Sequence, residues 1–93
     1  MNKTLRHGQI CNEIHDLYIK KNHDYGDSFS DSYTENGIVM ARIRIGDKFN
    51  RFKNLIRDDI NVKDETIRDT LIDLANYAIM TIIELENENN DLK

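Results

Sequence analysis

The chain has 93 residues, of which 39% are hydrophobic and 32% charged, with no proline, four glycines and a formal net charge of -4. That length suits one domain with one core and leaves no room for a second, and the lack of proline and of strand-like alternation all but excludes an all-β fold. An acidic balance of seventeen Asp and Glu against thirteen Lys and Arg disfavours general DNA binding, and no stretch nears the roughly twenty apolar residues of a membrane span, so a cytoplasmic protein without membrane attachment is expected.

A first helix is predicted from about Thr4 to Lys21. Ile10, Ile14 and Leu17 fall at i, i+4 and i+7, and Leu5 and Tyr18 extend the same buried face. Cys11, the single cysteine, makes neither an internal disulfide nor a paired-cysteine zinc site, and it reads as packing rather than as a nucleophile. Glu13 and Asp16 share an i, i+3 spacing that fits a solvated face or, alternatively, a metal ligand. His7, His15 and His23 are dispersed.

The next fifteen residues, Asn22 to Asn36, mix Asp, Ser, Asn, Gly and aromatics without a continuous apolar face, so a long loop is expected. Such loops in small domains usually carry a task, and ligand contact is one. Tyr25, Phe29 and Tyr33 recur every four residues, which fits either one turn of packed helix or a wall on which a base stacks.

A second helix is predicted over Gly37 to Arg57 with Asn36 as its N-cap. Ile38, Ile45, Phe49, Phe52 and Ile56 form the expected core stripe, and Met40, Arg44, Asp47 and Arg51 lie almost opposite. Arg42, Arg44, Lys48, Arg51, Lys53 and Arg57 against Asp47 make this helix cationic in an acidic protein, which points to an anionic partner.

A third helix is expected from Asp64, as N-cap with Glu65 in its first turn, to about Glu86, followed by a polar tail over 87–93. Ile67, Leu71, Leu74, Ala78, Ile82 and Leu85 read as its core stripe, while Ile72, Ile79, Met80 and Ile83 cover other sides. A helix apolar nearly all round is buried on several sides. In so small a chain part of that cover is expected from another subunit, so the domain, with its core over about 4–86, is predicted to be a homo-oligomer.

Asp69, Asp73 and Asn76 are set into this apolar helix at i, i+4 and i+7. Taking a carboxylate out of water costs several kcal/mol, so Asp73 needs a cation, a hydrogen bond from Asn76 or a metal. It either pairs with Arg44 or Arg51 across helices or marks a site. Asp47 on the second helix supplies a third carboxylate, and Asp47, Asp69 and Asp73 together suit Mg²⁺, which takes oxygen ligands and is commonly shared with phosphates. Arg44, Lys48 and Arg51 would then hold a polyphosphate.

The segments HDYGDSF (His23 to Phe29), RIRIGDKFNRFKNL (Arg42 to Leu55) and ETIRDTLIDLANYAIM (Glu65 to Met80) resemble the phage and bacterial nucleotide-modification-associated domain, first type. That family in turn looks related to the MazG-like all-α nucleotide pyrophosphatases. The resemblance implies an all-α, MazG-like bundle that binds a nucleotide or deoxynucleotide and, if catalytic, hydrolyses a nucleoside triphosphate to monophosphate and pyrophosphate with Mg²⁺. In that scheme Asp47, Asp69 and Asp73 are catalytic and hold the metal, and Asn76 with Asp24, Tyr25 and Phe29 touches base or sugar. MazG-like enzymes carry two pairs of acids, each three residues apart. Here Arg44 stands where a partner of Asp47 would be, and Thr70 to Asp73 or Asp73 to Asn76 replaces the second pair, so a non-catalytic nucleotide-binding module, or a structural helical adaptor, is the alternative.

Overall fold

A computed structural model describes residues 1–57 and 64–91, which form four α-helices, with no strand among the described residues. The protein is all-α, as the missing proline and the helical periodicities predict. Helix α1 spans Lys3–Tyr25; Asn2 caps it, its side chain accepting a hydrogen bond from the Leu5 N–H at 3.0 Å. Ile10, Ile14, Leu17 and Tyr18 are half-buried along it, but Leu5 is exposed. Cys11 is exposed rather than packed, its Sγ 3.8 Å from Nδ1 of His7 one turn earlier.

The expected loop is helical. Helix α1 continues to Tyr25, and after Gly26 and Asp27 a second helix, α2, spans Ser28–Asn36. Polar composition concealed it, because only Phe29 and Tyr33, four residues apart, anchor its inner side, and both are buried. A glycine ends each of these helices in the left-handed region, Gly26 with φ 66° and Gly37 with φ 75°, conformations that cost a side-chain-bearing residue free energy. The Gly37 N–H donates to the Tyr33 carbonyl at 2.7 Å. Asn36 therefore closes α2 instead of capping the next helix, and its amide donates to the Ser32 carbonyl at 3.1 Å.

Helix α3 spans Ile38–Arg57 and α4 spans Asp64–Asp91, past the expected end at Glu86. The side chains of Asp64 and Glu65, expected to cap and charge the start of α4, lie outside the described residues. Helices α3 and α4 make the most extensive contact. They run antiparallel: Ala41 lies in the cluster that Met80 and Tyr77 pack against, while Lys48, further along α3, meets Asp73, earlier on α4. Phe29, Tyr33 and Ala41 are the buried core, with Met40, Tyr77 and Met80 packed against it. The methyl of Ala41 lets the surrounding helices approach closely.

Both predicted core stripes are rotated relative to the observed one. The inward side of α3 is Ala41, Ile45, Lys48, Phe52 and Leu55, whereas Ile38, Phe49 and Ile56 are about half exposed. The inward side of α4 includes Thr70, Ile72, Asn76 and Thr81, while Leu71, Ala78, Ile82 and Leu85 of the expected stripe are exposed. Thr70 and Thr81 satisfy their hydroxyls within the helix, donating to the carbonyls of Thr66 and Tyr77 at 2.9 and 2.7 Å. With its hydroxyls bonded in this way a threonine enters a helix interface at little cost, so polarity alone does not mark the outer face. The radius of gyration, 15.2 Å, exceeds the ~12 Å expected of a compact chain this long, in keeping with so much uncovered apolar surface.

Candidate functional site

Asp73 joins three helices. Lys21 of α1 donates to its Oδ1 at 3.1 Å, and Lys48 of α3 pairs with its Oδ2 at 3.0 Å. Burial pushes the Asp73 carboxyl up, but hydrogen bonds and charge from Lys48 and Lys21 outweigh that and hold it below its ordinary value. The predicted cross-helix ion pair thus exists, made by two lysines and not by Arg44 or Arg51. One turn along α4, the buried Asn76 donates from Nδ2 to the Ile14 carbonyl of α1 at 3.3 Å.

Beside this ion pair lies a cleft of about 320 Å³. Tyr18, Lys21, Asn22 and Tyr25 of α1 form one wall, Gly26, Ser28 and Phe29 another, and Arg44 of α3 faces Asp73, Asn76, Tyr77 and Met80 of α4. The rings of Phe29 and Tyr77 stack with centroids 5.9 Å apart at 20°. The cleft therefore combines cations from α1 and α3 with a flat aromatic wall.

Of the residues predicted for the site, Asp73, Arg44, Asn76, Tyr25 and Phe29 line the cleft, and Lys48 stands behind it on Asp73. Phe29 and Tyr33 are buried on one side of a packed helix and Phe29 also lines the cleft, so the two readings of the aromatic spacing do not exclude each other. Asp24 is exposed and pairs with the neighbouring His23 at 3.4 Å. Asp47, Asp69 and Arg51 are exposed and do not line the cleft. Asp47 precedes Lys48, so it is turned about 100° away round the helix. The expected convergence of Asp47, Asp69 and Asp73 is not found: among the described residues no three His, Cys, Asp or Glu side chains are gathered as a metal ion would require. With one carboxylate, already held by two lysines, the donor set does not fit a protein-bound Mg²⁺.

Lys21, Tyr18, Asn22 and Tyr77 were missed. Carrying the Ile14 and Tyr18 face of α1 one more turn, through Lys21 and Asn22 to Tyr25, finds the missing wall. Glu13 is exposed, as a solvated face predicts, and accepts hydrogen bonds from Arg68 of α4 and Arg6 of its own helix, which, Arg68 first, hold its carboxyl below the ordinary value.

Fold and cleft together define an all-α protein in which basic and aromatic side chains from four helices surround a small-molecule-sized space. Residues 21–85 match the family described as Nucleotide modification associated domain 1, and the chain belongs to that family. The match takes in Lys21, Arg44, Lys48, Asp73, Asn76 and Tyr77. No curated protein matches the chain, and no solved structure does. No helix among the described residues is long and apolar enough to cross a membrane.

Proposed function

We propose that the protein binds a nucleotide in this cleft, in the service of the nucleotide modification that the family description names. The observation that carries the reading is the placing of Lys21 and Arg44 beside the stacked Phe29 and Tyr77 in one cavity of about 320 Å³. Ammonium and guanidinium groups suit phosphate, and a base stacks on an aromatic face. The volume lies near the lower end of the range for small-molecule sites.

Binding is favoured over a MazG-like pyrophosphohydrolase, because Asp47 and Asp69 do not line the cleft with Asp73 and, among the described residues, no three acids are gathered as such chemistry would need. Titrating the full chain with deoxynucleotides, with and without Mg²⁺, while following pyrophosphate release tests both readings. Saturable binding without turnover is expected. Turnover that Asp73→Asn abolishes would replace this reading by the enzymatic one.

We further propose that a second copy of the chain covers the outer side of α4. Leu71, Ile79, Ile82, Ile83 and Leu85 are exposed there, more apolar surface than a monomer usually leaves uncovered.

A further inference from the structure

Resting on the nucleotide reading, we infer that the cleft is built for a single phosphate monoester, a nucleoside monophosphate rather than a triphosphate, and that Asp73 occupies the phosphate position when no ligand is bound. Lys21 and Arg44 line this corner and Lys48 stands behind it on Asp73, so three cations from two helices are set against the one carboxylate of Asp73. The balance left for a ligand is two positive charges, and a phosphate monoester near neutral pH carries about -1.5 to -2. Each further phosphoryl group adds negative charge that no other cation lining the cleft meets, since Arg51 is exposed outside it and, among the described residues, no acids are gathered to bring in a metal.

The geometry supports exchange. The two oxygens of Asp73 each hold one lysine, at 3.1 and 3.0 Å, so the carboxylate bridges the ammonium groups as two oxygens of a phosphate would. A phosphate has a third oxygen to offer Arg44, which has no ion-pair partner among the described residues and lines the same cavity. The Lys21 side chain is half exposed, so it can turn from Asp73 to a ligand without disturbing the core. A cavity of about 320 Å³ takes a nucleoside and one phosphate more readily than a longer polyphosphate.

Competition between Asp73 and the ligand has a consequence opposite to that of a metal-ligating carboxylate. Asp73→Asn removes the resident anion and should tighten monophosphate binding, whereas loss of a metal ligand would weaken it.

The test is calorimetric titration of the full chain with the four deoxynucleosides, their mono- and triphosphates, and inorganic phosphate, each with and without Mg²⁺. Wild type, Asp73→Asn and Lys48→Gln are compared, with circular dichroism checking that each variant is folded. At least one monophosphate should bind about tenfold or more tighter than its nucleoside and than inorganic phosphate, a gap of ~1.4 kcal/mol. Its triphosphate should bind no tighter, with or without Mg²⁺. Asp73→Asn should strengthen monophosphate binding about threefold or more, and Lys48→Gln should weaken it while leaving the nucleoside unchanged. A triphosphate preferred over its monophosphate, or weaker monophosphate binding by folded Asp73→Asn, overturns the inference and leaves nucleotide binding standing. Inorganic phosphate binding as tightly as any monophosphate overturns it as well. If no nucleotide of either kind binds wild type, the nucleotide reading itself falls.

Discussion

Along α4, the side turned into the protein carries Thr70, Asp73, Asn76 and Thr81, and the side turned away carries Leu71, Ile79, Ile82, Ile83 and Leu85. Thr70 is 2% and Asn76 7% exposed, whereas Ile79 and Ile82 are 47% and 54% exposed. In a monomeric globular domain the two sets would be exchanged. Each polar group inside has a partner: the threonines bond their own helix, Asn76 the backbone of α1, and Asp73 two lysines. Burial therefore costs them little, and Asp73 and Asn76 are left to line the cleft. The isoleucines outside have no such account among the described residues of one chain. On the readings proposed above, the inner face serves a ligand and the outer a second copy of the chain.

Substituting the outer face should have the largest effect. Ile79→Lys together with Ile82→Lys should weaken self-association about 1,000-fold, the scale of two interface residues worth ~2 kcal/mol each, as read by sedimentation equilibrium. A wild-type chain that sediments as a single copy at high micromolar concentration would remove the outer half of the comparison. On the inner side, Phe29→Ala should lower unfolding free energy by about 3 kcal/mol in urea titrations, near the lower end for a buried aromatic because the cleft already opens beside it. Asn76→Leu sharpens the contrast. A simple amphipathic rule expects a gain from an apolar residue of similar size, yet losing the bond to the Ile14 carbonyl should cost about 1 kcal/mol.

The next effect is smaller and depends on pH. Because the folded Asp73 carboxyl is held below its ordinary value, the stability it confers is complete above the ordinary carboxylate range near ~3.9 and is lost as pH falls through the depressed value. At neutral pH Asp73→Asn should cost under about 1 kcal/mol, since Lys21 is half exposed and its ion pair is screened. Urea midpoints should fall less between pH 6 and about pH 2 in Asp73→Asn than in wild type; equal falls would mean that the lysine pair contributes nothing. Thr81→Val should change stability by no more than about 0.5 kcal/mol, because the hydroxyl it removes bonds only within α4.

How far the sequence could be read follows from the same contrast. The helices were visible because periodicity survives whichever way a face turns. Their orientation was not, since the rule that apolar residues point inward assumes that one chain supplies all the cover. The stripe through Leu71, Ala78 and Ile82 is regular, and it points away from α3. Asp73 stands out as a charge among apolar neighbours, and of the partners open to it, a cation, Asn76 or a metal, the structure shows two lysines. Its lysine partners lie 52 and 25 residues away, beyond any local pattern. Asp69 shares a side of α4 with Asp73 by spacing alone, but spacing does not say where along the helix the packing ends. Helix α2 was hidden because Phe29 and Tyr33 are too few to make a periodic signal.

Phe29 belongs both to the buried cluster with Tyr33 and Ala41 and to the wall of the cleft. A substitution there alters the shape of the cleft and the packing of the core in one step, which leaves the position little freedom to drift. Tyr18, Asn22 and Tyr25 touch the same cavity from a helix that contributes no buried residue. If the cleft binds as proposed, variation in what it accepts is expected to begin along that edge of α1, where a changed side chain reshapes the cleft and leaves the buried core as it was.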